Sequence, residues 1–301
     1  MDLTALTECL LSAPCLVTQT MTGLVIAFLL FLAASGLTLV FGVLRVTNFA
    51  HGTFYMLGAY FTIAFYRANG SFLVAVIGAT LLVAASGALF ERTVISRVKD
   101  SNPLMILLGC YGVVLIADDL VKIFWGSAAL STGMPEAMQL PPVQLGGGVV
   151  PVYYLVLIGI SATVGIASWL LINRSGFGRA VQAVAEVPKM AAALGINTRL
   201  YAAVVVAVGC GLAGLAGSLA SPMRATMPGV GFSILIECFV VTVIGGMGSI
   251  FGALLAALFI GLTRSYGSIA MPLFTEGLTF VSMLIVLCVK PTGLFAVHER
   301  P

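Results

Sequence analysis

The sequence predicts an all-α polytopic membrane protein of eight or nine transmembrane helices, with some segments broken by glycine. Charged residues make up 8% of the 301 positions and hydrophobic ones 60%. A soluble chain carries about 25% charged residues, so polar side chains are too few here to cover a soluble surface, and the mean hydropathy is +1.14. Apolar runs of roughly 20 residues recur, each long enough to cross about 30 Å of hydrocarbon as a helix. They are continuously apolar and rich in Leu, Ala, Val and Gly. A barrel of alternating ten-residue strands with a polar inner face is excluded by that pattern.

Taken in order, the spans are expected at about 21 to 43, 48 to 66, 71 to 91, 103 to 122, 151 to 172, 200 to 220, 235 to 246, 250 to 264 and 277 to 290. The 235 to 246 segment is too short to cross unaided. If the spans alternate, Arg45, Arg92, Arg97, Lys99, Arg174, Arg179, Lys189, Arg199, Lys290 and Arg300 fall on one side, and Arg67, Lys122, Arg224 and Arg264 on the other. The positive-inside rule makes the first side cytoplasmic, with the N-terminus outside and the C-terminus inside. Asp2, Glu8, Glu136 and Glu276 then lie outside. The first twenty residues contain no Lys or Arg, so no cleavable leader is expected and the first span directs insertion. Cys110, Cys210, Cys238 and Cys288 lie in apolar runs and read as small buried hydrophobes. Cys9 and Cys15 could pair outside the membrane.

The whole chain, 1 to 301, is expected to form one transmembrane domain with two long loops. Residues 123 to 150, "IFWGSAALSTGMPEAMQLPPVQLGGGVV", hold one charge, three prolines and a glycine triplet and read as an external lid or docking surface. Residues 173 to 199 are the largest cytoplasmic segment. In it Pro188 suits a first helical position and Gly195 a C-terminal stop, which predicts a two-turn helix. Val184, Val187, Met190, Ala191 and Leu194 follow a three-to-four spacing on one side, away from Gln182, Glu186 and Lys189. So short a helix is unstable alone and must pack on something, either a docking partner or the membrane surface. Arg179, Glu186, Pro188, Lys189, Met190, Leu194 and Gly195 are the candidate contact residues.

The stretch "RVTNFAHGTFYMLGAY", residues 45 to 60, interrupts an apolar region with Arg45, Asn48, His51 and Gly52. Arg45 fits a topology anchor, and Asn48 can cap the next helix. A histidine beside an apolar run needs a cavity or a partner. A second break, "IGGMGSIFG" at 244 to 252, contains Gly245, Gly246 and Gly248. Interrupted segments in both halves of a transporter point to a solute route, whereas small residues also serve close helix packing. The expectation is that 48 to 52 and 245 to 249 face each other beside the path and gate it. Glu237, inside an apolar segment, costs about 2.5 to 3.5 kcal/mol at a bilayer centre and needs a partner, with His51 or Arg224 the candidates. Asp118, Asp119 and Lys122 form a boundary cluster or a contact for an external protein.

No Gly-Lys pair occurs, so ATP hydrolysis through a GxxxxGK[ST] loop is excluded. There is no HExxH, no GxSxG and no cysteine–histidine spacing for a metal, and His298 lies in the tail. The chain is not expected to be an enzyme or to bind a cofactor. An ion-coupled carrier or channel would call for a relay of intramembrane acids, of which Glu237 alone is a thin trace.

"GRAVQAVAEVPKMAAALGI" resembles the coupling segment of ABC-importer permeases. Together "GLTLVFGVLRVTNFAHGTFYMLGAY", "MAAALGIN", "VVTVIGGMGSIFGALLAA" and "KPTGLF" resemble the branched-chain amino-acid ABC transporter permeases, over about residues 22 to 295, and specifically the shorter type without a fused ATPase. The loop departs from the strict consensus, because Val187-Pro188 follows Glu186 in place of two alanines. The resemblance implies a bacterial-type inner-membrane permease that pairs with a second, related permease. It also implies two cytoplasmic ATPases that use ATP and an external solute-binding protein. Branched-chain or related amino acids are the implied cargo, with urea, short amides and aromatic or other carboxylates as alternatives within the family.

Overall fold

A computed structural model describes residues 3–44, 46–98, 101–291 and 293–295. Arg45, Lys99, His298 and Arg300 lie outside the described residues. A short α1 (Leu3–Leu11) leads into α2 (Ala13–Leu44), a 32-residue helix, and Cys9 and Cys15 are joined by a disulfide across that junction. Helix α3 (His51–Asn69) ends at Gly70, whose left-handed backbone at φ 66° stops it. Helix α4 (Phe72–Phe90) runs on through a π-helical turn, Glu91–Ile95, into α5 (Ser96–Val98). Helix α6 (Pro103–Trp125) starts with proline at its first position and with the Asn102 side chain accepting from Leu104 N–H at 3.2 Å.

After α6 the chain makes a small hairpin of β1 (Val143–Leu145) and β2 (Gly148–Val150), paired antiparallel with Gln144 opposite Val149. Then follow α7 (Val152–Arg174), α8 (Gly176–Glu186), α9 (Pro188–Ala193) and α10 (Thr198–Ala220). The last elements are α11 (Val230–Gly245), α12 (Ile250–Ala270) and α13 (Thr275–Val289). Counting α4 with its extension, and α13 from Pro272, seven helices among the described residues are long and apolar enough to cross a membrane, and α3 and the shorter α11 complete the bundle. The sequence-based spans fall on these nine helices. Helix α11 opens five residues before the expected 235, and α12 runs to Ala270, past the expected 264.

Helices α2 and α10 form the centre. Helix α2 packs against α12, α10, α7 and α11, and α10 against α4, α2 and α3. The neighbours correspond when α2-α3-α4 is exchanged with α10-α11-α12: α2 meets α12 as α10 meets α4, and α2 meets α11 as α10 meets α3. That exchange is the contact pattern of an internal repeat in a transporter. The close approaches are made at small residues, since a hydrophobic drive between helices is missing in lipid and backbone proximity replaces it. Gly36 abuts Gly209, Gly58 abuts Gly214, Gly23 lies against Leu262, and Gly245 abuts Gly252. Outer faces of α4, α6 and α13 present Leu73, Leu81, Leu108, Ile116, Leu284 and Ile285, all exposed and apolar, as lipid-facing surfaces require.

Candidate functional site

Past the end of α2 the chain folds back into the bundle before α3 begins. Nε2 of His51 lies 2.8 Å from the Ala33 carbonyl oxygen, well inside α2. A carbonyl only accepts, so Nε2 carries the hydrogen. Asn48, fully buried, turns its Oδ1 onto Ala50 N–H at 3.0 Å and shapes the approach to the helix without capping it from the capping position, which is Ala50. Nδ1 of His51, Nδ2 of Asn48 and the Thr53 hydroxyl, all buried, find no protein partner among the described residues.

Gly52 meets the start of α11, where a methyl group in place of its hydrogen would overlap the Gly231 carbonyl. Helix α11 also starts within the bundle, because Val230 packs on Met56 and Tyr60 of α3. Two helix N-termini therefore abut inside the protein. The second break lies elsewhere. Gly248, at φ 88°, approaches Gly42 near the end of α2, and Gly245 packs on Gly252. Gly246 sits beside Gly293. The N–H groups of Leu294 and Phe295 donate to the Ile244 and Gly245 carbonyls at 2.8 and 3.1 Å. The structure thus sets 48–52 against the start of α11, and 245–249 against α2 and the C-terminal "KPTGLF" segment. The expected facing pair of breaks is not formed; a helix of 16 residues separates them.

Glu237 does find a partner, and it is Arg264 of α12: Oε1 lies 2.8 Å from the guanidinium, with side chains 17% and 13% exposed. His51 is committed to Ala33 and Arg224 lies outside that pair, so both expected partners are replaced. Arg264 is correspondingly a residue of α12 and not of an outer loop. Oε2 of Glu237 is buried and has no hydrogen-bond partner among the described residues.

In the 173–199 segment α8 packs on α7, α2 and α10, burying Gly178, Val181 and Val184. Phe177 stacks on Tyr201 of α10 at 5.5 Å. Pro188 opens α9, and Gly195 at φ 85° ends it, with Ile196 N–H donating to Ala191 O at 3.0 Å. The predicted apolar stripe divides, because α8 and α9 are separate helices with a bend at Val187. Val184 and Ala191 turn inward, whereas Val187, Met190 and Leu194 are 52%, 61% and 75% exposed. Arg179, Glu186 and Lys189 are exposed around them.

At the opposite end of the bundle the 123–150 loop is tied down. Leu130 and Thr226 form a two-way backbone bridge, and the Ser131 hydroxyl donates to Ser221 O at 2.8 Å. Asp118 lies within electrostatic reach of the Gly229 backbone, and Lys122 pairs with Asp119 at 2.9 Å on an exposed face. Between this rim and α3 opens a cavity of about 420 Å³, lined among others by Tyr55, Arg224, Thr226, Val230 and Ser233. Sequence reasoning passed over it. Its signal was Arg224 followed by Pro228-Gly229, a charged turn before a helix too short to span. Among the described residues no group of three His, Cys, Asp or Glu is placed to hold a metal ion.

A family model described as "Branched-chain amino acid transport system / permease component" matches residues 19–289. The chain is 29% identical over 296 residues to the high-affinity branched-chain amino acid transport system permease protein BraD of Pseudomonas aeruginosa, covering 93% of this chain and 96% of that one. It is 30% identical over 302 residues to the permease protein LivH of Escherichia coli, with the same coverage. A probable LivH of Methanocaldococcus jannaschii is 25% identical over 293 residues and 90% of each chain. Among solved structures, PsaBC from Streptococcus pneumoniae in complex with Fab matches with a TM-score of 0.50 at 13% identity, over 90% of this chain and 91% of that one. At that identity the likeness speaks for the fold alone.

Proposed function

Because the chain belongs to the family of branched-chain amino acid transport system permease components, we propose that it forms half of the membrane pathway of a binding-protein-dependent ABC importer for branched-chain or related amino acids. In this reading a second, related permease completes the pathway. Two cytoplasmic ATPases use ATP, and an external binding protein delivers the solute to the end bearing the 123–150 loop. The N-terminus is outside and the C-terminus cytoplasmic, in an inner membrane. Asn48, His51, Gly52, Glu237, Gly245, Gly246 and Gly248 line or gate the route.

The observation that supports coupling is the exposure of Val187, Met190 and Leu194 together on α9 and its flanks. Exposed apolar side chains on so short a helix have no reason to persist in water, whereas a groove on an ATPase gives them one. Arg179, Glu186 and Lys189 supply the polar rim of that contact. ATPase closure would push α9 and, through α8, the α2 and α10 core.

The test is mild-detergent purification of the chain from its own membranes, followed by reconstitution with what accompanies it. Recovery of two ATPases and a second permease, with ATP-dependent leucine uptake, is the expected outcome. Uptake by the chain alone without ATP would replace this reading with a gradient-driven carrier.

A further inference from the structure

The outer cavity contains a combination of groups that neither the glycine breaks nor the coupling loop explains. Tyr55 is 7% exposed, yet it lines the cavity and its hydroxyl makes no hydrogen bond to the described residues. The ring is held in the core while the hydroxyl opens on the cavity, free to donate to or accept from a polar visitor. Arg224 lines the same space and forms no ion pair among the described residues. The start of α11 borders it through Gly229 and Val230, and a helix N-terminus favours negative charge. The remaining wall is apolar, with Met227, Val230 and Ile234. Tyr55 also stands within electrostatic reach of both Arg224 and Glu237.

We propose that this cavity is a transit site for the transported amino acid, holding its carboxylate against the Arg224 guanidinium and the Tyr55 hydroxyl while an aliphatic side chain lies on Met227, Val230 and Ile234. The inference rests on the importer reading above and adds the part of the solute that is recognised. Arg224 is suited to this because its planar donors match a carboxylate. Urea, which has no carboxylate, can accept a hydrogen bond there but gains no charge pairing.

Two experiments test it. In the reconstituted importer, Arg224→Gln is expected to lower leucine uptake about ten- to a hundredfold, the range of a lost hydrogen bond to a charged group, and Tyr55→Phe less. Arg224→Lys should fall between. The binding protein should still dock and still stimulate ATP hydrolysis. Unchanged uptake in Arg224→Gln would overturn the site and leave the importer intact, and loss of docking would reassign Arg224 to the binding protein.

The second experiment needs no transport. Ser233→Cys is introduced with Cys288→Ser, the other cysteines being buried or in the disulfide. Its labelling by a thiol reagent should be slowed severalfold by leucine and not by leucinol, which lacks the carboxylate. Equal protection by both, or by neither, would overturn the site. Failure of the unaltered assembly to take up leucine while leucine still protects Ser233→Cys would count against the importer reading alone.

Discussion

At its start α11 abuts Gly52 across a helix crossing and borders an open cavity, whereas at its end the carbonyls of Ile244 and Gly245 are taken up by the N–H groups of Leu294 and Phe295. The first end gathers polar atoms without partners among the described residues: Tyr55 on the cavity, and His51, Asn48 and Thr53 on the α3 side. The second end has its hydrogen bonds filled by its own chain. One helix thus has a chemically open start and a closed finish, with an ion pair between them. A solute needs unfilled hydrogen-bonding groups, and a mechanical linkage needs filled ones. In the importer reading proposed above, that difference fits solute contact at the start of the helix and force transmission at its end.

The largest expected effect lies at the middle of α11. Arg264→Leu leaves the Glu237 carboxylate without a counter-ion in a largely apolar setting and is expected to cost about 3 kcal/mol, read as a fall in the unfolding temperature of the purified chain. Adding Glu237→Gln should restore most of it. A null effect of the single change would mean that water reaches the pair and that the midpoint belongs to the open end.

Next comes the crossing at the start. Gly52→Ala forces backbone apart at the Gly231 carbonyl and is expected to cost about 1 to 3 kcal/mol. Gly231→Ala should cost a similar amount, and the pair together less than their sum, since residues in contact are not additive. Full additivity in a thermal-unfolding cycle would show that the two helix starts are independent.

At the finish, Gly248→Ala must hold a side chain at φ 88° and is expected to cost about 1 to 2 kcal/mol. Uptake should fall further than stability alone accounts for if this end carries force. The smallest effect is Phe295→Ala. It removes the edge-on contact with Phe251 at 5.9 Å, worth about 0.5 to 1.5 kcal/mol, and should raise hydrogen exchange at the last turn of α11 while leaving its first turn protected. Equal exchange at both ends would erase the contrast.

Hydrophobic runs made the nine helices legible, because apolar length is a direct consequence of membrane thickness. Turn chemistry likewise made Pro188 and Gly195 legible as the bounds of α9. What sequence could not give was partnership across the bundle. Glu237 announces that it needs a cation, but the choice of Arg264 depends on α11 and α12 running antiparallel side by side. His51 announces that it needs a hydrogen bond, and its acceptor is a backbone carbonyl, which has no sequence signature. The two glycine breaks look alike in sequence and differ in what stands opposite each. The cavity stayed hidden because its lining joins Tyr55 to residues more than 160 positions further on.

The 32 residues of α2 amount to about 48 Å of helix, roughly 18 Å more than the hydrocarbon layer requires. The surplus is braced where it leaves the bundle: Thr20 bonds Tyr266 at 2.8 Å, the Ser265 hydroxyl donates to the Gln19 side chain at 2.7 Å, β2 lies along Pro14 and Val17, and the disulfide holds the turn above. The helix therefore acts as a mast. In the importer reading, a binding protein arriving from that side would meet this braced end of α2, a rigid stop instead of a flexible loop.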